Sequence, residues 1–397
     1  MQVQIHRHFR IGTLDLPALE WRTPARPRNR YTEKIDAIEL IQEALAHNPS
    51  DIHINCGHPV VLEIHGVMHR LTDHELEWAE FENIARVVRD KEGATSILSQ
   101  GEDYDGPFIV AVRDAKLGKT RRRLRVNMTA LDSIRSPQSA SFVMRLLQDI
   151  PPSVDEIGLP QELLDHCYPE RGGVYVIGPT GSGKTSTFAA LVRHAAETGR
   201  HYHGHWATYE SPPEYDLEAV SSQHLMITQV AVHSKWGLGS FADAVRNAMR
   251  RHPIAILIGE IRDYETVSAV VEASLTGHPV FGTVHADNPA TAFQRLITRY
   301  PASQSSAALY DLITTTEVII AQRLVKRLDG GRVALREWIV FNDEIRKRLL
   351  RLNTTGEVTT EIMSLVETNG QSYKKSAIDL LSRGVISETV AAPYLKR

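Results

Sequence analysis

Eight residues, Gly178-Pro179-Thr180-Gly181-Ser182-Gly183-Lys184-Thr185, fit the pattern GxxxxGK[ST] and constrain this 397-residue chain more than any other feature. The flanks give the pattern its meaning. An apolar run at 174–177 reads as a strand entering the loop. Residues 185–198 read as a helix leaving it, with Phe188, Leu191, Val192 and Ala195 on one side. Such a helix start aims unpaired backbone N–H groups and a positive dipole end at a phosphate. Glycines let the loop wrap closely because no Cβ intrudes. Lys184 is expected to reach the β- and γ-phosphates and the Thr185 hydroxyl to ligate Mg²⁺, with Ser186 completing the binding segment. An accidental glycine-rich turn would lack the strand and the helix. The motif therefore predicts a nucleotide site.

Further apolar runs at 254–258 and 280–284 alternate with helical stretches, which predicts a parallel sheet covered by helices on both faces. Three strands end in polar residues: 205–209 runs into Glu210, 254–258 into Gly259 and Glu260, and 281–284 into His285. In an open parallel sheet the ligand crevice lies at the carboxyl ends of the strands, so these groups are expected on the P-loop edge. Glu260 follows the most apolar strand and is the candidate to orient and polarise the attacking water. Glu210 would hold Mg²⁺ through its water shell or help position the nucleophile. Each, taken singly, is better read as a plain strand-end polar residue; the three together beside a P-loop favour a site. Asp263 reads as the N-cap of a helix running to Gly277. Of His278 and His285, one suits a γ-phosphate sensor and the other a structural role, since no third ligand accompanies them at metal spacing. His201, His203 and His205 read as part of a solvated loop rather than a metal site.

Composition sets the frame. The length suggests two or three domains at roughly 100–200 residues each. With 42% hydrophobic and 23% charged residues the chain has the makings of a core, and its net charge of −3 excludes a generic basic nucleic-acid coat. Two cysteines, Cys56 and Cys167, support neither a disulfide framework nor a zinc ribbon. No run approaches the ~18 apolar residues of a transmembrane helix, and the opening segment lacks a signal-peptide core. A cytoplasmic protein that reaches a membrane only through partners is expected.

Residues 1–30, with six arginines and three prolines, read as a flexible extension. Residues 31–150 read as an α+β domain. Its first helix is capped by Thr32 and carries Ile35, Ile38, Ile41, Ala44 and Leu45, and a hairpin about Gly66 follows. A second helix spans about 76–90, and strands fit 121–128 and 142–147. Residues 151–160 read as a linker, 161–328 as the nucleotide domain and 329–397 as a C-terminal strand with short helices. Arg121, Arg123 and Arg125 alternate with apolar residues, giving a cationic strand face, and Arg145 belongs to a second strand of that domain. Such a face suits phosphate supplied from another domain or subunit; surface salt bridges are the plainer alternative. Without interleaved aromatics it fits single-stranded nucleic acid poorly. Arg246 and Arg250, four apart on a helix, suit an interface or a solvated face equally.

GPTGSGKT, TYESPPEY, HPIAILIGEIRDYET and ASLTGHPVFGTVHADN resemble the Walker A, Asp box, Walker B and His box of PilT-like type II and type IV secretion ATPases. SDIHI at 50–54 and RLRVN at 123–127 resemble the N-terminal domain of the same family, and the segment 332–350 resembles its DotB and TraJ branch, which serves type IVB secretion and plasmid conjugation. The resemblance implies an α/β fold: a RecA-like P-loop NTPase domain with a parallel sheet, preceded by a smaller PAS-like α+β domain. It also implies a homohexamer that hydrolyses ATP with Mg²⁺, working with secretion or conjugation components at the inner membrane. By motif position Glu260 would be the catalytic glutamate, Glu210 the Asp-box carboxylate and His285 a His-box residue. Arg123, Arg125 and Arg145 would approach nucleotide across a subunit boundary. Two departures stand out: Ser211 follows Glu210 where many relatives have Asp, and the zinc-binding tetracysteine insertion of some relatives is missing. As in its relatives, Gly259 stands where many other P-loop enzymes place an Mg²⁺-binding Asp. An ATPase motor is the leading expectation; the competing ones are a nucleic-acid translocase and an ATP-dependent assembly scaffold with little turnover.

Overall fold

Backbone periodicity resolves into two units, Met1–Asp149 and Ile150–Arg397. The computed structural model describes residues 31–64, 67–114, 118–132, 139–147, 150–232 and 237–396. The arginine-rich segment 1–30 and the hairpin glycine Gly66 lie outside the described residues.

In the first unit, strands β1 (Asp51–Asn55), β2 (Val61–Ile64), β3 (Val67–Arg70), β4 (Tyr104–Asp114), β5 (Gly118–Ala130) and β6 (Ala140–Leu146) form one sheet in the order β3-β2-β1-β6-β5-β4. Every pairing is antiparallel. Helices Lys34–Ala46 and Trp78–Arg89 supply Leu40, Ile41, Phe81 and Ile84 to the same core as Ile52, Ile54, Leu124, Val126 and Phe142. The smaller α+β domain is thus the PAS-like unit that the resemblance implies. The first helix begins one residue later than expected, because Glu33 rather than Thr32 is its N-cap, with the Asp36 carboxylate accepting the Glu33 N–H at 3.0 Å. Ile35 correspondingly leaves the apolar stripe and is 57% exposed, while Ala37 and Leu40 enter it. Strand β4 is absent from the sequence reading because Gly106 and Pro107 resemble a turn. Pro107 is tolerated since β4 is a sheet edge, where a missing N–H costs no ladder bond to a further strand.

The second unit contains β7 (Gly172–Ile177), β8 (Gly204–Glu210), β9 (Leu225–Ala231), β10 (Ala255–Ile258), β11 (Pro279–Val284), β12 (Thr316–Lys326) and β13 (Arg332–Val340), in the order β13-β12-β7-β11-β10-β8-β9. All neighbours run parallel except β12 and β13. The P-loop strand β7 sits centrally and is separated from β10 by β11, the arrangement of a RecA-like α/β domain. Side chains alternate between two cores: Val174 and Val176 face one, Tyr175 and Ile177 the other. This double burial explains why these strands read as continuous apolar runs. β13 extends the same sheet, and Ile345, Val358, Ile362, Leu365 and Ala377 from the helices beyond it join the same core as Ile256 and Ile258.

Phe81 and Phe142 stack with centroids 4.8 Å apart and are fully buried between helix and sheet of the first unit. Phe142→Ala is expected to destabilise that unit by about 3–5 kcal/mol through lost burial and the cavity left behind. Urea unfolding followed by a probe in the N-terminal unit measures this.

Candidate nucleotide site

The P-loop leaves the end of β7 and enters helix Lys184–Thr198. Three of its glycines, Gly178, Gly181 and Gly183, have φ of +150, +76 and +84°, a region that L side chains rarely adopt. Pro179, Thr180 and Gly181 are exposed at the loop's tip, whereas Ser182 and Lys184 are buried and Thr185 and Ser186 half-buried. The Lys184 ammonium donates to the carbonyls of Gly178 and Pro179 at 2.9 and 3.0 Å. Burial pulls its pKa below the ordinary lysine value, against the opposing pull of Glu260 and Glu214. Ser186 Oγ and Tyr215 Oη hydrogen-bond at 2.7 Å, tying the loop's helix to the segment after β8.

Parallel strands β7, β11, β10 and β8 lie side by side, so Gly178, His285, Glu260 and Glu210 fall on one edge. His285 Nε2 stands 3.8 Å from Glu260 Oε1. The Glu210 carboxylate is buried, and its Oε1 accepts from Thr208 Oγ1 and Gln229 Nε2, both at 3.0 Å. Gly259 lets β10 approach this carboxylate: a Cβ there would lie 3.2 Å from Glu210 Cα and 3.3 Å from the Tyr209 carbonyl. The Gly259 carbonyl in turn accepts from Thr283 Oγ1 on β11. The Asp263 carboxylate accepts the Thr266 N–H at 2.9 Å, which accounts for Asp263 as the helix N-cap. His201 stacks on Tyr168 at 4.1 Å, His203 Nε2 contacts the Gly199 carbonyl, and His205 lies within β8, with Nε2 2.8 Å from Thr228 Oγ1. His205 thus stands on the strand expected over 205–209, and the loop expected of the histidine tract ends before it, since β8 begins at Gly204.

Arg123, Arg125 and Arg145 belong to the other unit. Arg125 engages both oxygens of Asp105 at 3.1 and 2.7 Å, and Arg145 Nε donates to Asp51 Oδ1 at 2.8 Å. Arg125 and Arg145 are direct cross-strand partners, and Arg145 also faces Asp51, so two arginines and a buried carboxylate form one row. The Arg123 Nε is buried without a hydrogen-bond partner. On the second unit Arg246 pairs with Asp243 of its own helix at 3.2 Å.

Several residues of this edge carry no sequence signal. Gln229 orients Glu210 while its own Oε1 accepts the Leu217 N–H at 2.8 Å, and it sits on β9, a half-buried strand without clean alternation. Gln322 lies on β12, which follows helix Ser305–Thr315 without a glycine or proline to mark the change.

A parallel sheet with a glycine loop after its central strand and carboxylates beyond the neighbouring strands defines a P-loop nucleoside triphosphatase. The family model described as "Type II/IV secretion system protein" matches residues 30–371, and the chain belongs to that family. The type IV pilus retraction ATPase PilT of Pseudomonas aeruginosa is 28% identical over 357 residues, spanning 89% of this chain and 95% of that protein. The X-ray structure of the Legionella pneumophila ATPase DotB superposes with a TM-score of 0.81 at 32% identity, covering 97% of this chain and 99% of that one. The crystal structure of the pilus retraction motor PilT with bound ADP gives a TM-score of 0.74 at 29% identity, covering 90% and 96%. The protein is accordingly a PilT-like secretion ATPase that uses nucleotide. Among the described residues no helix is long and apolar enough to cross a membrane.

Burial holds His285 below its ordinary pKa of 6.5, Lys184 lowers it further, and Glu260 opposes both. The unfolded chain therefore binds this proton more readily. The histidine's contribution to stability is complete above 6.5 and declines as pH falls from 6.5 through the lowered folded value. In magnesium-free buffer, NMR titration of His285 should give a midpoint below 6.5, moving upward in Lys184→Ala. A wild-type midpoint above 6.5 would contradict this environment.

Proposed function

We propose that the protein is a hexameric ATPase motor of a type IVB secretion or conjugal transfer machine, acting at the cytoplasmic face of the inner membrane through partner proteins. The observation that carries the reading is the likeness to DotB over 97% of the chain, far beyond the P-loop alone. The P-loop backbone from Gly178 to Ser186 holds the phosphates, and Lys184 trades its loop carbonyls for β- and γ-phosphate oxygens. Glu260 orients and polarises the attacking water. His285, 3.8 Å from Glu260, senses the γ-phosphate.

The donor set suits magnesium, because Thr185, Glu210 and Glu260 offer only hard oxygen ligands, and Glu210 is a buried carboxylate already oriented by Thr208 and Gln229. When bound there, the ion would neutralise charge on the β- and γ-oxygens. Arg123, Arg125 and Arg145 reach nucleotide held by a neighbouring subunit, Arg125 exchanging Asp105 and Arg145 exchanging Asp51 for phosphate. Nucleotide held between domains favours their closure, loss of γ-phosphate contacts releases it, and this cycle is the source of movement.

Glu260→Gln is expected to lower steady-state turnover by about 10²–10⁴-fold while ATP still binds. Near-normal turnover would remove Glu260 from the reaction. Arg123→Ala and Arg125→Ala should reduce turnover and leave nucleotide binding in place. Native mass spectrometry should find six copies in the presence of ATP, and a strict monomer under all conditions would sink the motor reading.

A further inference from the structure

Arg336 is a buried cation whose guanidinium donates to three uncharged oxygens. Its Nη1 and Nη2 donate to the carbonyls of Gly158 and Ile157 at 2.7 and 2.8 Å, and its Nε donates to Gln322 Oε1 at 2.9 Å. Burial lowers its pKa to about 10, which leaves the guanidinium charged at neutral pH. A charge placed this way is costly to bury and needs every one of these bonds. Gln322 and Arg336 face each other in the β12–β13 register, so the pair is fixed by the sheet itself.

Gln322 faces the P-loop. Its Nε2 donates to the Ser182 carbonyl at 2.7 Å, and its Oε1 also accepts from Thr187 Oγ1 on the P-loop helix at 2.9 Å. The backbone closes the same wall: a Cβ on Gly178 would lie 2.3 Å from the Gln322 carbonyl, and one on Gly183 would lie 2.8 Å from Gln322 Nε2. Across a trans peptide the Ser182 carbonyl and the Gly183 N–H point in opposite directions. Anchoring that carbonyl toward β12 therefore turns the Gly183 N–H away from β12, as a phosphate cradle requires.

We propose that Gln322 and Arg336 are positioning residues of the nucleotide site, fixing the Ser182–Gly183 peptide for triphosphate binding and tying it to the linker carbonyls at 157 and 158. Neither touches the nucleotide. Gln322 acts through the loop backbone, and Arg336 acts by locking the orientation of the Gln322 amide, since its Nε needs the oxygen and so leaves the nitrogen to Ser182. The proposal rests on the nucleotide site described above.

The test uses the full chain, with nucleotide affinity measured by calorimetry and turnover by steady-state hydrolysis. Gln322→Glu keeps the acceptors for Thr187 and Arg336 but sets two oxygens face to face at Ser182. The expected result is a retained thermal midpoint, a dissociation constant and KM raised about tenfold, and kcat within about threefold, the scale of one lost hydrogen bond. Gln322→Met removes the donor to Ser182 without adding charge, and with it the acceptor of Thr187 and Arg336. The same KM rise is expected with a lowered thermal midpoint, and the rise without added charge separates lost bonds from repulsion of the phosphates. Arg336→Lys keeps the charge but cannot fork to both partners, and should raise KM in the same sense. Wild-type affinity and KM in both Gln322 variants would overturn the proposal, as would a fall in kcat at unchanged KM. An unchanged KM in Arg336→Lys would overturn the part assigned to Arg336. Failure of the wild type to bind ATP would instead overturn the nucleotide site.

Discussion

Parallel pairing dictates the rest of this molecule. When β7, β11, β10 and β8 run in one direction, their carboxyl ends share an edge, and residues more than a hundred positions apart in sequence meet there. Lys184 and His285 accordingly feel Glu260, although each stands on a different connection. Antiparallel pairing would have scattered these groups between two edges. The helix that follows β7 adds its own field at the same place, so charge and geometry converge there.

Glycine sets how near the chain segments on that edge can come. Gly259 allows β10 to lie against the backbone of Glu210, and Gly178 allows the P-loop to lie against β12. Around these contacts the polar side chains form two separate sets. Thr208 and Gln229 serve the Glu210 carboxylate, whereas Gln322, Thr187 and Arg336 serve the loop backbone. An amide has one donor end and one acceptor end, so each glutamine can serve all its neighbours only in a single orientation. That makes both sets stiff.

How much of this is legible in the sequence follows from how local each signal is. The P-loop, its strand and its helix declare themselves within about twenty residues, because loop conformation and helix phase are local properties. Glu210, Glu260 and His285 are legible one step further, since each terminates an apolar run and the parallel sheet assigns all such ends to one edge. Strands β4, β9 and β12 are not legible. β4 carries Gly106 and Pro107, β9 is half-buried without clean alternation, and β12 continues from a helix through Thr315 and Thr316 with no break. With β9 and β12 go Gln229 and Gln322, whose roles depend on cross-strand neighbours rather than on sequence context. Thr32 and Ile35 show the limit at smaller scale: the helical stripe is right in period, yet the Glu33 and Asp36 pair shifts its start.

The position of β12 has a consequence for biogenesis. β7 emerges from the ribosome well over a hundred residues before its parallel partner, and the helices that complete the core come later still. The N-terminal unit, whose strands all pair among themselves, can mature while synthesis continues. The ATPase unit must wait, with one flank of its central strand bare, until β12 has been made. A nascent chain thus carries the complete Gly178–Thr185 motif more than a hundred residues before it has the wall that shapes it.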